Sequence, residues 1–365
     1  MKIIISGGGT GGHIFPAVSI AGAIKRMQPD ADILFVGAEG RMEMTRVPQA
    51  GYEIVGLPVA GFDRKNPLKN IPVLWKLFKS RRMARRIVRD FQPDVCVGVG
   101  GYASGPTLNV AQKMGIRTLL QEQNSYAGVT NKLLAKRADR ICVAYEGMER
   151  FFPADKIVLT GNPVRQALLE CQHDRSEARA ALGMRAKSPM VLIVGGSLGA
   201  RTLNESVIAQ LNLISQTDIQ VLWKTGAYYY KDVMSQLAYV GKPDNLTVTE
   251  FVTDMSTAYA AADLVISRAG AGTISELCLL GKPAILVPSP NVAEDHQTKN
   301  AMALVARDAA LCVKDAEARE ALLPLAIRTV QDSESLNRLS ANIRAMAFEH
   351  SDEVIAREVI ALAKR

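Results

Sequence analysis

The stretch ISGGGTGGHIFPA, residues 5–17, places five glycines and a threonine between an apolar run and a helical pattern. Glycine has no Cβ, so a loop of this composition lets the backbone approach a bulky ligand closely. The apolar run before it, residues 2–6, predicts a buried strand, and residues 16–27 predict a helix. A strand, a glycine loop and a helix in this order favour an α/β domain that binds anions at the helix N-terminus.

The same order of elements recurs along the chain. Apolar runs without polar alternation, separated by helical patterns, predict parallel sheets covered on both faces. The rhythm pauses near residues 161–190 and restarts with MVLIVGGSLGAR at residue 190. We therefore predict two Rossmann-like, doubly wound α/β domains that face each other across a cleft. The boundaries that we expect are residues 1–162 and 163–340, followed by a C-terminal helix (341–365) that packs back on the N-terminal domain.

Composition restricts the class of protein. The chain has 365 residues and a net charge of +8, and ten Lys/Arg with no acidic residue lie within residues 64–89. Because the rest of the chain is slightly acidic, this segment predicts an anionic partner. We find no apolar run of membrane-spanning length and no signal-peptide pattern. The five cysteines are scattered and read as reduced core residues of a cytoplasmic protein.

The first glycine loop by itself admits a second interpretation. Gly7, Gly9 and Gly12 satisfy the dinucleotide pattern, and Glu39 at the end of the second strand could bind a ribose, which would suit an NAD-dependent oxidoreductase. Two further glycine loops, at 195–199 and 270–272, favour instead a diphosphate together with a second phosphorylated substrate. After the third loop, Glu276 is expected in the first helical turn, either as ordinary helix-start chemistry or as the acceptor of two ribose hydroxyls.

Eight ordered motifs carry a resemblance that runs from residue 1 to the C-terminus. The chain resembles glycosyltransferase family 28, in its members that complete lipid II for bacterial peptidoglycan. The resemblance implies an inverting GT-B enzyme that moves N-acetylglucosamine (GlcNAc) from UDP-GlcNAc to the 4-hydroxyl of undecaprenyl-diphospho-MurNAc-pentapeptide (lipid I). It implies a peripheral protein on the cytoplasmic side of the inner membrane, without a cofactor or metal, and it admits cell-wall synthesis proteins as partners. The motifs are GGGTGGHIFPA (7–17), GGYASGP (100–106), EQNSYAGVTNK (122–132), GNPVR (161–165), GGSLGAR (195–201), EFVTDM (250–255), SRAGAGTISE (267–276) and HQTKNA (296–301).

The resemblance also implies which residues hold the donor. One set faces the sugar, a second holds the diphosphate, and a third meets the nucleoside. Many relatives have two adjacent glutamines where this chain has His296 and Gln297, so only the second contact carries over directly. The implied donor residues are Thr10, Gly11, Gly12, Asn124, Arg165, Ser197, Val252, Ala271, Gly272, Thr273, Glu276 and Gln297.

Acceptor chemistry points to the exit of the first loop. The attacking hydroxyl must lose a proton, and His13 is the best-placed general base, although it could instead bond a neighbouring loop or a sugar hydroxyl. The Asp30-Ala31-Asp32 triplet reads as a solvated loop rather than a metal site, so helix N-termini and Arg165 are expected to stabilise the departing diphosphate. The acceptor diphosphate is expected on Gly100, Gly101, Tyr102 and Ser104.

The basic segment contains an apolar stripe at helical spacing. Ile71, Leu74, Trp75 and Phe78 follow the i, i+3, i+4, i+7 pattern, with cationic residues around them. The stripe is either ordinary core or an interfacial helix that docks on an anionic membrane. Few aromatics are available for base stacking, which disfavours nucleic acid. Two other functions remain as alternatives. A related UDP-GlcNAc epimerase would not need this basic segment. A non-catalytic lipid-binding protein would need the segment but would leave the motifs of the second half without a role.

Overall fold

The computed structural model describes residues 1–61, 71–164, 168, 174–196 and 198–364, without the side chains of Ile71, Pro72 and Ala293. The chain forms two compact units. The first unit comprises Met1–Arg165 and Phe348–Arg365, and the second comprises Gln166–Ala347. Each unit is built around one sheet whose described strands all pair in parallel.

The first unit alternates strands with helices from its N-terminus. Its strands are β1 (Lys2–Ser6), β2 (Asp32–Ala38), β3 (Glu53–Leu57), β4 (Val95–Gly98), β5 (Arg117–Glu122), β6 (Arg140–Val143) and β7 (Ile157–Leu159). Its helices before residue 165 are α1 (Gly11–Met27), α2 (Glu43–Gln49), α3 (Ile71–Phe91), α4 (Ser104–Lys113) and α5 (Val129–Ala135). The described strands lie in the order β3-β2-β1-β4-β5-β6-β7.

The second unit repeats the scheme. Its strands are β8 (Met190–Val194), β9 (Gln220–Lys224), β10 (Leu246–Thr249), β11 (Leu264–Ser267), β12 (Ala284–Leu286) and β13 (Leu311–Cys312), in the order β10-β9-β8-β11-β12-β13. Its helices are α6 (Arg175–Ala181), α7 (Arg201–Ala209), α8 (Leu211–Ser215), α9 (Tyr230–Val240), α10 (Met255–Ala261), α11 (Ala271–Leu280), α12 (His296–Val305), α13 (Ala318–Gln331) and α14 (Ser333–Arg344).

The last helix, α15 (Ser351–Ala363), belongs to the first unit and packs on α1. An ion pair of 2.7 Å between Arg26 and Asp352 links the two helices. Apolar burial on both faces of the sheet explains why its central strands lack polar alternation. Ile3 and Ile5 pack among residues of α1 and α15, whereas Ile4 packs on the opposite face against residues of α3 and α4.

The α/β class and the parallel sheets predicted from the sequence are confirmed, and the differences lie at the edges. The strands β3, β7 and β13, which the apolar runs did not reveal, are each the outermost strand at one end of a sheet. Helix α1 begins at Gly11 rather than at residue 16, so His13 lies in its first turn. Backbone bonds from the N–H groups of His13 and Ile14 to the Thr10 carbonyl close that turn.

Helix α3 decides between the two interpretations of the apolar stripe for every member whose side chain is described. Leu74, Trp75 and Phe78 are 55%, 70% and 63% exposed, so the stripe is not core. The buried face of the helix consists of small and β-branched side chains spaced four residues apart, Ser80, Ala84 and Val88. The side chain of Ile71 and residues 64–70 of the basic segment lie outside the described residues.

Candidate active site

Each sheet has a topological switch point, and these two points locate the loops of the candidate active site. The first sheet runs outward in opposite directions from β1 and β4, and the second from β8 and β11. At such a point the connections leave toward opposite faces, which opens a crevice beyond the carboxyl ends of the strands. The segments that follow these four strands begin at residues 7, 99, 195 and 268. They contain most of the candidate site residues.

The loops after β1 and β4 are in close contact. A Cβ on Gly101 would lie 2.4 Å from the Gly8 carbonyl oxygen, and one on Gly7 would lie 2.2 Å from Val99 Cγ2. Gly101 also has a φ of +86°, which L side chains rarely adopt. These glycines therefore let two backbones meet at the first switch point. Beside them, Tyr102 is exposed and Ser104 is fully buried at the start of α4.

His13 stands at this junction. Its Nδ1 lies 3.0 Å from the Gly8 carbonyl oxygen and 3.3 Å from Thr10 Oγ1. A Cβ on Gly100 would lie 3.0 Å from His13 Nε2, so that nitrogen faces the loop after β4. The carbonyl oxygen can only accept a hydrogen bond, hence Nδ1 carries the proton in the neutral ring and Nε2 carries the lone pair. The imidazole thus presents a basic nitrogen toward the segment expected to hold the acceptor.

Two buried carboxylates that were not among the predicted site residues lie beside the loops of this unit and accept hydrogen bonds from them. Glu43 of α2 accepts backbone N–H bonds from Ala38 and Gly9. Glu122, at the end of β5, accepts bonds from the backbone and side-chain amides of Asn124, each at 3.2 Å, and burial raises the pKa of Glu122 against the effect of these bonds. The side-chain amide nitrogen of Asn124 is thereby directed at Glu122, which fixes the orientation of this side chain at the end of β5.

In the second unit the loop after β8 rests on the end of β9. The Lys224 ammonium donates a 2.9 Å hydrogen bond to the Gly196 carbonyl and lies 5.0 Å from the centre of the Phe251 ring. Lys224 is only 6% exposed, whereas Phe251 is largely exposed. A buried cation therefore connects the loop after β8 with the segment after β10. No motif marked Lys224, because a lysine that ends a strand is usually solvated.

The prediction that Glu276 lies in the first turn of its helix is wrong. Glu276 is the sixth residue of α11 and lies in the second turn, so the dipole of the helix start acts on it less than predicted. A partner on a neighbouring helix holds it instead: the Tyr259 hydroxyl donates a 3.1 Å hydrogen bond to Glu276 Oε2. Tyr259 is buried and Glu276 is half-buried, which fixes the carboxylate without enclosing it. Ala271, Gly272 and Thr273 form the first turn of the same helix.

The remaining donor candidates fall on the same edge of the second sheet. Gln297, in the first turn of α12, accepts a 2.8 Å bond from the Ser289 backbone through Oε1, so its Nε2 is the group available to donate. His296 begins that helix, and Val252 is buried after β10. Arg165 and Ser197 lie outside the described residues.

Comparison with known proteins gives the class that this fold and these loops define. Residues 3–143 match the glycosyltransferase family 28 N-terminal domain, and residues 190–357 match the glycosyltransferase family 28 C-terminal domain. The chain belongs to glycosyltransferase family 28. This assignment sets aside the dinucleotide interpretation of the first glycine loop.

Full-length relatives carry one function in their names. The chain is 63% identical over 366 residues, covering 100% of itself and 96% of its relative, to the UDP-N-acetylglucosamine--N-acetylmuramyl-(pentapeptide) pyrophosphoryl-undecaprenol N-acetylglucosamine transferase of Bacteroides fragilis. It is similar to the crystal structure of MurG from Acinetobacter baumannii, with a TM-score of 0.78, 28% identity and 99% coverage of both chains. A UDP-GlcNAc 2-epimerase from Neisseria meningitidis shares the fold, with a TM-score of 0.66, 14% identity and coverage of 99% of this chain and 100% of that one.

Two features are absent from the residues that the structure describes. Among them, no helix is long and apolar enough to cross a membrane. The same part of the chain holds no group of three His, Cys, Asp or Glu side chains arranged to bind a metal ion.

Proposed function

We propose that this protein transfers GlcNAc from UDP-GlcNAc to the 4-hydroxyl of the MurNAc residue of lipid I, giving lipid II. Membership of glycosyltransferase family 28 and the name of its full-length relative support this reaction. The observation that carries it is the position of His13 at the first switch point, with Nδ1 on the Gly8 carbonyl and Nε2 toward Gly100. A base in that place suits an acceptor hydroxyl.

The second unit binds the nucleotide half of the donor in this proposal. Glu276, held by Tyr259, accepts the two ribose hydroxyls, and the segment at Val252 meets the uracil. The first turn of α11 offers backbone N–H groups to the diphosphate, joined by Arg165 and Ser197 as the family resemblance implies. Gln297 donates from Nε2 to the GlcNAc.

The first unit supplies the sugar contacts and the base. Thr10, Gly11, Gly12 and Asn124 face the GlcNAc. The acceptor diphosphate lies on the loop of Gly100 and Gly101, near Tyr102 and Ser104. The acceptor 4-oxygen attacks the anomeric carbon as its bond to UDP breaks, and the hydroxyl proton passes to His13 Nε2. One displacement inverts the configuration at that carbon. Helix N-termini and Arg165 stabilise the negative charge on the departing UDP.

The protein works at the cytoplasmic face of the inner membrane in this proposal. The exposed side chains of Leu74, Trp75 and Phe78 form an apolar face on α3, and Trp75 stacks on Phe78 with 6.3 Å between ring centres. Exposed cations surround it, among them Lys76, Lys79, Arg81, Arg82, Arg85 and Arg86. An apolar face within a cationic surround is the arrangement of a helix that lies in a membrane interface.

Release of UDP tests the reaction. A transferase releases UDP from UDP-GlcNAc rapidly when a water-soluble lipid I analogue is present and only slowly without it. An enzyme of the epimerase kind would convert UDP-GlcNAc at the same rate with and without the analogue. Equal rates in the two conditions would therefore refute the transferase.

Vesicle binding tests the membrane contact separately. We expect sedimentation with anionic but not zwitterionic vesicles, reversed by high salt, since each basic residue near an anionic surface contributes about 1 kcal/mol. The double substitution Trp75→Ser/Phe78→Ser should reduce binding and leave UDP-GlcNAc affinity unchanged. Its matched control is Tyr228→Ser/Tyr239→Ser, which removes two exposed aromatics from the second unit. Equal losses in both double variants would show that α3 is not the contact.

A further inference from the structure

One peptide group in the first glycine loop is bonded at both of its ends. The peptide that joins Gly8 to Gly9 offers its carbonyl oxygen to His13 Nδ1 at 3.0 Å and its N–H to Glu43 Oε2 at 2.9 Å. Because a peptide group is planar and conjugated, these two bonds act on a single electronic unit. His13 and Glu43 are thus connected through this peptide group, because each side chain bonds to one end of it.

Glu43 is built into this position. It is 1% exposed, and its other oxygen, Oε1, accepts a 3.0 Å bond from the Ala38 backbone at the end of β2. Each oxygen accepts an N–H, which is the pattern of an ionised carboxylate. A Cβ on Gly8 would lie 2.1 Å from Oε1, and one on Gly37 would lie 2.6 Å from Glu43 Cγ. Both glycines leave the space in which the carboxyl group lies.

We propose that Glu43 is a positioning residue for His13, acting through the Gly8–Gly9 peptide. This inference rests on the proposed role of His13 as the base. A carboxylate that accepts the N–H of a peptide draws electron density toward the carbonyl oxygen of that peptide and strengthens the bond that the oxygen accepts. The Nδ1–H of His13 is then held more firmly, Nε2 keeps its lone pair, and the imidazolium that forms on proton transfer is stabilised. Buried carboxylates beside histidines of other catalytic sites act directly, whereas this one acts across a peptide group.

The tautomer of His13 in the wild-type protein gives the first test. Nitrogen-15 spectra of the full chain, assigned by comparison with His13→Ala, should show His13 protonated at Nδ1 and unprotonated at Nε2 above its titration. Glu43→Gln should raise the fraction of the opposite tautomer. A wild-type ring protonated mainly at Nε2 would overturn the inference, and this measurement does not depend on whether any Glu43 variant folds.

A double-mutant cycle gives the second test. Glu43→Gln should lower the turnover number by at least about 10-fold, as loss of an orienting partner does at other histidine sites, with the KM for UDP-GlcNAc little changed. In the His13→Ala background the same substitution should have almost no further effect, because residues that act in series are not additive. An equal fold-change in both backgrounds would overturn the inference.

The control is Asp139→Asn. Asp139 is a half-buried carboxylate that accepts the Thr118 backbone N–H at 2.8 Å at the amino end of β5, away from His13. The substitution Asp139→Asn should leave the nitrogen-15 spectrum of His13 and the turnover number unchanged. The two proposals fail differently. If His13→Ala keeps wild-type turnover, the base is wrong, whereas if only the coupling between Glu43 and His13 is missing, the base stands and the relay is wrong.

Discussion

The glycine loops after β1 and β8 occupy the same place in their two sheets, yet opposite charges lie behind them. Under the first loop, the buried Glu43 carboxylate accepts the Gly9 N–H. Under the second, the buried Lys224 ammonium donates to the Gly196 carbonyl. In both cases the charged group bonds to the loop backbone from inside its own unit.

The sign of the buried charge gives the two loops different chemical properties. A carboxylate behind a loop polarises a peptide so that a histidine on its other side becomes a better base. An ammonium behind a loop occupies a carbonyl oxygen and adds positive charge where a nucleotide diphosphate is expected. In the proposed reaction, the first switch point therefore serves proton abstraction and the second holds an anion.

Among the effects on stability and on nucleotide binding, we expect the largest at the contact between the loops of the first unit. Gly101→Ala should lower its free energy of unfolding by about 2–4 kcal/mol, because a left-handed backbone strain adds to a clash with the Gly8 carbonyl. Gly40→Ala is the control, since Gly40 also has a positive φ, +69°, but a Cβ there meets nothing within 4 Å. Thermal or denaturant unfolding measures both. Similar losses in the two variants would show that the loops are not tightly packed.

The second effect concerns the nucleotide side. Glu276→Ala should weaken UDP and UDP-GlcNAc binding by about 2–3 kcal/mol, because hydrogen bonds to a charged group are lost. Tyr259→Phe keeps the carboxylate and should weaken binding less. Calorimetry with UDP and with its 2′,3′-dideoxy analogue measures the role of the ribose hydroxyls. If the wild-type protein binds both ligands equally well, Glu276 does not hold the ribose.

A smaller effect is expected at Lys224. Lys224→Met keeps much of the apolar stem and removes the charge, so UDP affinity should fall about tenfold, or about 1.4 kcal/mol. Lys231→Met, at an exposed lysine of α9, is the control and should change the affinity little. UDP binding at low and moderate salt measures both. If both variants bind UDP equally well, the charge of Lys224 does not contribute to UDP binding at the loop after β8.

The smallest effect is expected from loss of a helix cap in the second unit. Asp254 caps α10 and accepts bonds from Ser256 and Thr257, which lower the pKa of its carboxyl to about 2. Asp254→Ala should cost the second unit about 1 kcal/mol, as for other N-caps. The folded pKa lies below the unfolded value, so this contribution is complete above about pH 4 and disappears as the pH falls toward 2.

Fluorescence of Trp223, which is buried in the second unit, follows that unfolding. A difference between the wild type and Asp254→Ala that stays constant from pH 6 to pH 2 would contradict the cap.

The central strands and their glycine loops could be predicted from the sequence, because an apolar run followed by glycines is a local signal. Of the described outermost strands, β10 could be predicted from its apolar run, whereas β3, β7 and β13 could not. Strand β3 (EIVGL) contains a glutamate and a glycine, and β7 and β13 have only three and two residues. Helix α1 was predicted to begin at residue 16 because glycines at 11 and 12 disfavour a helix by propensity, yet they form its first turn.

The charged side chains that bond to the two glycine loops could not be predicted from the sequence. Glu43 reaches Gly9 from a helix 34 residues along the chain, and Lys224 reaches Gly196 across 28 residues. Such contacts depend on the order of strands in the sheet, which a single sequence does not show. His13 could be found because it adjoins a motif, but the direction of its two nitrogens required the fold.

The substitution His13→Ala separates proton abstraction at the first glycine loop from binding of the donor in the second unit. Turnover is measured with saturating UDP-GlcNAc and a water-soluble lipid I analogue, and the Kd for UDP-GlcNAc is measured on the same samples. We expect the turnover number to fall by about 10²–10⁴-fold, with the Kd almost unchanged. Near-normal turnover at full acceptor occupancy would contradict the proposed role of His13.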